Sequence, residues 1–274
     1  MGDFTRTLSE RHKHTQIING YCLICGKEGR LSQDHVPPQG SISVTKVEQV
    51  HLTEVYGLQT APIKGIKSMN GSKFRTICRD CNMTALGQND GEIADICKAL
   101  TRKINHFFEL ANSPVSSVHT SVNALKYSRA MIGHVLAATS VDECRKPLTP
   151  APYFDPLRKF VLGDDHAIDE THDLYYWFFP HRHHQSIKLF NMQNDRNQCC
   201  MSVLSFFPLA FLITEKGKGI YPAGATKLEL SDKSLFLNLS QLNVRFSSFP
   251  AVELTGDQMI ALVDSLSIIS YPIK

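Results

Sequence analysis

Two C-x-x-C pairs, Cys22/Cys25 in "YCLICG" and Cys78/Cys81 in "TICRDCN", are the strongest chemical signal in the chain. Thiolates bind zinc tetrahedrally, and a short C-x-x-C turn presents two sulfurs to one ion, so two such turns complete a closed four-sulfur site. A closed site leaves no coordination position for substrate and is therefore structural. Eight cysteines in 274 residues, paired at this spacing, favour metal over a disulfide framework. Between the pairs lies "LSQDHVPPQG", residues 31–40, where Asp34 and His35 stand side by side ahead of Pro37 and Pro38. Proline cannot extend a ladder, so the two prolines fix where a strand stops and leave Asp34 and His35 at its end. In isolation the pair reads as a solvated turn. Between two zinc turns, with Asn82 directly after Cys81, it reads as a reactive site.

The elements that must hold these residues follow from pattern. "YCLICGKEGRLSQDHVPP" gives a metal knuckle, a Gly-punctuated turn and a short strand. Residues 41–77, with the alternating "SISVTKVEQVHL" and the Gly-rich "IKGIKSMNGSKF", read as a strand-bearing insertion with a mobile tip. "TICRDCNMTALGQND" is a second knuckle running into a short helix that Gly87 ends. Asn89 or Asp90 caps the next helix, which places Ile93, Ile96, Cys97, Leu100, Ile104, Phe107 and Phe108 near one face. A second amphipathic helix is expected over "SVNALKYSRAMIGHVLAA". Both are packing elements. Beyond the linker-like "PLTPAPYFDP", strands are expected at "LYYWFFP", "SIKLFNM", "CCMSVLSFF", "LAFLIT", "SLFLNLS" and "LNVRFSSF", and a helix at "TGDQMIALVDSLSIIS". The expected fold class is α+β. Its divisions are an N-terminal arm (1–18), a zinc-stapled module (19–112), a packing helix and linker (113–146), and a mostly antiparallel α+β C-terminal domain (147–274).

The combination "CLIC", "DHVPP" and "CRDCN" resembles the HNH nucleases, whose ββα-metal fold is stapled in many members by a four-cysteine zinc. The resemblance covers about residues 20–90. It implies that Asp34 is the strand carboxylate ligating a catalytic divalent metal, His35 the general base that activates water, and Asn82 the second metal ligand. One structural Zn²⁺ and one catalytic Mg²⁺ or Mn²⁺ are then the expected cofactors. The middle Asn of the family pattern, which tethers the loop bearing the base, is not matched, because Lys73 stands at its place; Asn70, from a longer loop, is the candidate substitute. The chemistry suits the residue types. A histidine with a pKa near ~6.5 accepts a proton from water near neutral pH, and a hard cation on Asp and Asn oxygens stabilises charge on phosphate. By analogy with the family the substrate is DNA, double-stranded favoured, and the setting restriction or antiviral defence in bacteria or phage.

An apolar content of 42% supplies a buried core, and a net charge of +3 excludes nucleic-acid binding by bulk charge alone. No apolar run reaches membrane-spanning length and the first residues lack a secretory core, so a cytoplasmic protein with no membrane partner is expected. Lys64, Lys67, Lys73, Arg75 and Arg79 cluster around the insertion and second knuckle. They are candidates for phosphate contacts, or equally an ordinary solvated face. His181, His183 and His184, and the acidic "GDDHAIDETHD", read as polar loops, Cys97, Cys144, Cys199 and Cys200 as reduced thiols, and the aromatic run "YYWFF" as a core strand. A second reading stands beside the nuclease: a non-catalytic zinc-binding module recognising nucleic acid or a protein. The C-terminal domain could itself bind a partner or regulator.

Overall fold

In "HDLYYWF" all seven residues are buried, and the period of two along a strand divides them between two cores. Leu174, Tyr176 and Phe178 face one apolar cluster, while Tyr175 and Trp177 face another with Val203, Leu212 and Phe249. A strand apolar on both faces must lie between two layers, and it does. The computed structural model describes residues 7–43, 45–57, 62–110, 116–194, 197–218, 220–240, 244, 246–251, 254 and 256–273.

The strands are β1 (Thr7–Leu8), β2 (Asn19–Tyr21), β3 (Glu28–His35), β4 (Val47–His51), β5 (Ile63–Lys64), β6 (Ile66–Ser68), β7 (Lys73–Cys78), β8 (Ser117–Ser121), β9 (His172–Phe178), β10 (His184–Gln193), β11 (Gln198–Phe206), β12 (Leu209–Glu215), β13 (Thr226–Leu228), β14 (Ser234–Asn238), β15 (Met259–Leu262) and β16 (Ser267–Pro272). The helices are α1 (Leu52–Tyr56), α2 (Asp90–Glu109), α3 (Ala124–Ala137) and α4 (Phe154–Val161). A nine-stranded sheet runs β13-β9-β12-β11-β10-β16-β4-β6, with β15 also pairing β10. Its neighbours are antiparallel. A separate three-stranded sheet, β2-β3-β7, carries the Asp34–His35 strand. The chain is thus α+β with mostly antiparallel sheets.

Helix α3 sits between these layers and is buried almost all round, from Ala124 and Tyr127 to Leu136 and Ala137. It packs against α2, α4, β7, β10 and β11. A Cβ on Gly133 would lie 2.8 Å from Leu86 Cδ1, so only glycine lets α3 come this close to the turn that follows Cys81. Helix α2 presents the expected face: Ile93, Ile96, Cys97, Leu100 and Ile104 are buried, Phe107 packs against that core, and Phe108 is exposed.

Several expectations are overturned. The closing helix does not form: residues 259–272 make β15, one turn of 3₁₀ helix at Asp264–Leu266, and β16. Ser267–Ser270 are all buried in the slot between β10 and β4, and ladder bonds to both neighbours outweigh the helical pattern. "LNVRFSSF" gives no strand among its described residues, and 246–250 are turns; positions 242, 243 and 245 lie outside the described residues. The Gly-rich "IKGIKSMNGSKF" contributes β5, β6 and the start of β7, so β4 and β6 of the insertion finish one edge of the large sheet. Of the polar first segment, residues 7–8 pair with β5 and Glu10–His14 form a 3₁₀ turn, with Arg11 buried 5.0 Å over the Phe74 ring.

Three histidines beside the large sheet are held neutral. Burial pushes His172, His183 and His184 down to about 4, the last two further opposed by a neighbouring imidazole. Unfolded, each titrates near ~6.5. The unfolded chain therefore binds more protons between these values, and stability falls as pH falls through that window. The melting temperature is expected to drop progressively from pH 6.5 to pH 4. The double variant His183→Asn/His184→Asn should flatten the drop; an unchanged pH slope would contradict this origin.

Candidate functional site

The first knuckle leaves β2 at Tyr21 and turns at once. Gly26 N–H donates to Cys22 O at 2.8 Å with Gly26 at φ +73°, a left-handed conformation that glycine adopts without strain. The second knuckle ends β7 at Cys78 and starts a helical turn, so Cys81 opens the segment Cys81–Leu86. Antiparallel pairing of β3 with β7, Leu31 opposite Cys78, brings the two turns together. The ligand sulfurs of Cys22, Cys25, Cys78 and Cys81 lie within 4.8 Å of one another, and Cys25 Sγ to Cys78 Sγ is 3.8 Å. A tetrahedron with Zn–S of about 2.3 Å requires S···S of about 3.8 Å. The donor set fits a structural zinc. A divalent ion is what allows all four to be thiolates at once.

From this clamp β3 runs to Asp34 and His35. Val36 N–H still donates to Ser72 O at 3.1 Å, after which Pro37 and Pro38 end the pairing. The ladder matches His35 with Lys73 and Asp34 with Phe74, with a bulge between Ser32 and Asp34. His35 is half-buried on the side of Lys73, and Asp34 is buried on the other. The histidine ring is held at two points: Gln39 Nε2 lies 3.3 Å from its Nε2, and the backbone of Asn70 hydrogen-bonds it. Burial, then the Lys73 charge, lower its pKa below 6.5, so the ring is neutral at neutral pH. Asn82 reaches back to the same strand, its amide donating to Ser32 Oγ at 2.8 Å and to Gln33 O at 2.9 Å. Both amide hydrogens are thereby used, which leaves Oδ1 as the group able to accept or ligate.

Asp34 has a partner that pattern reading did not find. His134 of α3 is fully buried; its Nδ1 lies 3.0 Å from Asp34 Oδ2 and its Nε2 2.9 Å from Asp90 Oδ1 at the start of α2. Burial alone would lower the pKa of this imidazole, but the two carboxylates overcome it and raise it to about 10. His134 is therefore a cation between two anions, and one oxygen of Asp34 is committed to it. Nothing local distinguishes this histidine in "AMIGHVLAA"; only its position in the last turn of an apolar helix hints at a buried polar partner.

The basic residues divide. Lys73 and Arg75 of β7 line a small cleft with Gln33, on the His35 side of the strand pair. Lys64 and Lys67 are exposed on β5 and β6, and Arg79 is exposed with Nε 3.2 Å from Met83 Sδ. His181 and His183 stack at 5.1 Å, and the metal-ligating cluster among the described residues is the four-cysteine one. Among the described residues no helix is long and apolar enough to cross a membrane. No protein-family model matches the chain, and neither a curated protein nor a solved structure matches it.

Two outcomes are expected. Purified protein should carry one zinc per chain by elemental analysis, and Cys81→Ser should lose the zinc and melt at a markedly lower temperature, whereas Cys97→Ser retains it. Equal zinc content in both variants would refute the assignment. His134→Ala should cost about 3–5 kcal/mol in urea unfolding, because it strands a buried Asp34 carboxylate. A cost below about 1 kcal/mol would show that the pair is not coupled.

Proposed function

We propose that this protein is a metal-dependent HNH-type endonuclease hydrolysing phosphodiester bonds in DNA. The observation that carries the reading is the return of Asn82 to β3: a four-sulfur clamp sets the helix start against the strand ending in Asp34–His35, and the Asn82 amide bonds that strand directly. A strand pair followed by a helix, with Asp and His at the strand end and Asn at the helix start, is the arrangement that the HNH resemblance implies.

His35 is the general base. Its ring is neutral at neutral pH and oriented by Gln39 and the Asn70 backbone, so it can take a proton from water as that oxygen attacks phosphorus. Asp34 and Asn82 Oδ1 are the groups that would hold one Mg²⁺ or Mn²⁺, which when bound supplies charge stabilisation for the phosphate and the departing oxygen. His134 orients Asp34 by binding one of its oxygens, the usual arrangement for a ligating carboxylate. Lys73 and Arg75 lie on the His35 side and suit contacts to flanking phosphates. A cytoplasmic role in restriction or antiviral defence fits this activity.

One observation favours the second reading, a zinc-binding module that recognises nucleic acid or a protein without cutting. Asp34 is only 4% exposed and already paired with a cation. Cleavage of plasmid and linear DNA separates the two readings. Wild type with Mg²⁺ or Mn²⁺ should cut, EDTA should abolish cutting, and folded, zinc-loaded His35→Ala should lose about 10²–10⁴ in rate. No cutting by wild type, or undiminished cutting by His35→Ala, would remove the nuclease assignment.

A further inference from the structure

Helix α2 continues from Asp90 well past the Asp34 network, and Lys98, Arg102 and His106 are exposed along it at intervals of four, on one stripe. The stripe forms one wall of a cleft of about 1390 Å³. The facing walls include Arg182, just before β10, and Gly40–Ile42, which directly follow the Gln39 that touches His35. Among the described residues Lys98, Arg102 and Arg182 make no ion pair. Glu109 is the sole carboxylate among the residues that line the cleft. These three cations, with Lys103 beside them donating to the His119 carbonyl, face one volume and select an anion. A volume above the roughly 300–1,000 Å³ of small-molecule pockets selects an extended one.

A second pocket of about 590 Å³ opens beside the first and shares Asn105, Pro180 and Phe207 with it. Its character is different: Phe108, Phe178 and Ile104 complete an apolar, aromatic lining, and Phe108 is 62% exposed at its rim. A cationic track continuous with an aromatic pocket matches a ligand that alternates phosphate with flat aromatic rings. An acidic protein surface would use the cations but not the pocket. A duplex would keep its bases stacked and out of it.

We propose that this face binds single-stranded nucleic acid, with phosphates along Lys98, Arg102 and Arg182 and a base against Phe108 and Phe207. The proposal rests on the nuclease reading only for what then happens to the strand; binding itself does not require cutting. It deepens that reading by naming the substrate as unpaired near the cut or locally opened there.

The test is fluorescence anisotropy with full-length, zinc-loaded His35→Ala protein, a labelled single-stranded oligonucleotide, its blunt duplex, and RNA of the same sequence, across 50 to 200 mM salt. Single strands should bind more tightly than the duplex, and the tighter of the DNA and RNA arms names the natural strand. Adding Lys98→Gln, Arg102→Gln and Arg182→Gln together should flatten the log–log salt slope by about 2, at about 0.7 per single-strand phosphate lost. Phe108→Ala, at an exposed position that leaves the fold intact, should weaken single-strand binding about tenfold without altering the salt slope. Unchanged affinity in both variants, or duplex binding as tight as single-strand binding and indifferent to Phe108→Ala, would overturn the proposal. If wild type cuts nothing while these binding losses occur, the nuclease reading fails and this one stands. Cutting with unchanged binding in both variants gives the reverse.

Discussion

Two turns more than fifty residues apart in sequence place four sulfurs within 4.8 Å of one another, and the N-terminal part of the fold is organised by that convergence. The three-stranded sheet they staple packs its apolar residues, Leu31, Phe74 and Ile77, into the large core around α3. A cation held by the four thiolates would fix the distance between the end of β7 and the turn before β3. Everything placed near Asp34, His35 and Asn82 depends on that distance. Asn82 is next to a ligand in sequence, so its reach to Ser32 and Gln33 is set by the clamp rather than by the helix.

The same strand serves two neighbourhoods. Because side chains alternate, Asp34 turns inward to His134 while His35 turns outward toward Lys73, so adjacent residues meet opposite dielectric environments. Inward, a buried cation between two carboxylates ties β3, α2 and α3 together at one point. Outward, a neutral ring is steered by a glutamine and a backbone group. Gly133 makes this compatible with packing, since the close approach of α3 to Leu86 carries His134 to its partners.

What could be read from the sequence was local. The cysteine spacing identified the metal site because C-x-x-C geometry is contained within four residues. The prolines identified the strand end for a similar reason, and the periodicity of α2 was long enough to show its buried face, whereas α3, expected to be amphipathic, is buried almost all round. Distant pairing was not legible. His134 meets Asp34 across 100 residues, and in an apolar helix it carries no local mark. The segment after Thr255 has short apolar runs that suit a helix or a strand equally, and the vacant edges of β10 and β4 decide the matter. The cationic cleft was missed for the same reason. Its residues come from α2, residues 40–43 and the approach to β10, while the basic cluster visible in sequence spreads over several elements.

The claim that Asp34 and Asn82 mark a divalent-cation site beside His35 is tested most directly by titrating Mn²⁺ into zinc-loaded His35→Ala protein and following free Mn²⁺ by electron paramagnetic resonance. One Mn²⁺ should bind per chain, compete with Mg²⁺, and be lost in Asn82→Ala that still holds its zinc and its fold. Absence of Mn²⁺ binding by the folded, zinc-loaded chain, or binding indifferent to Asn82→Ala, would contradict the site and leave the clamp as a structural zinc alone.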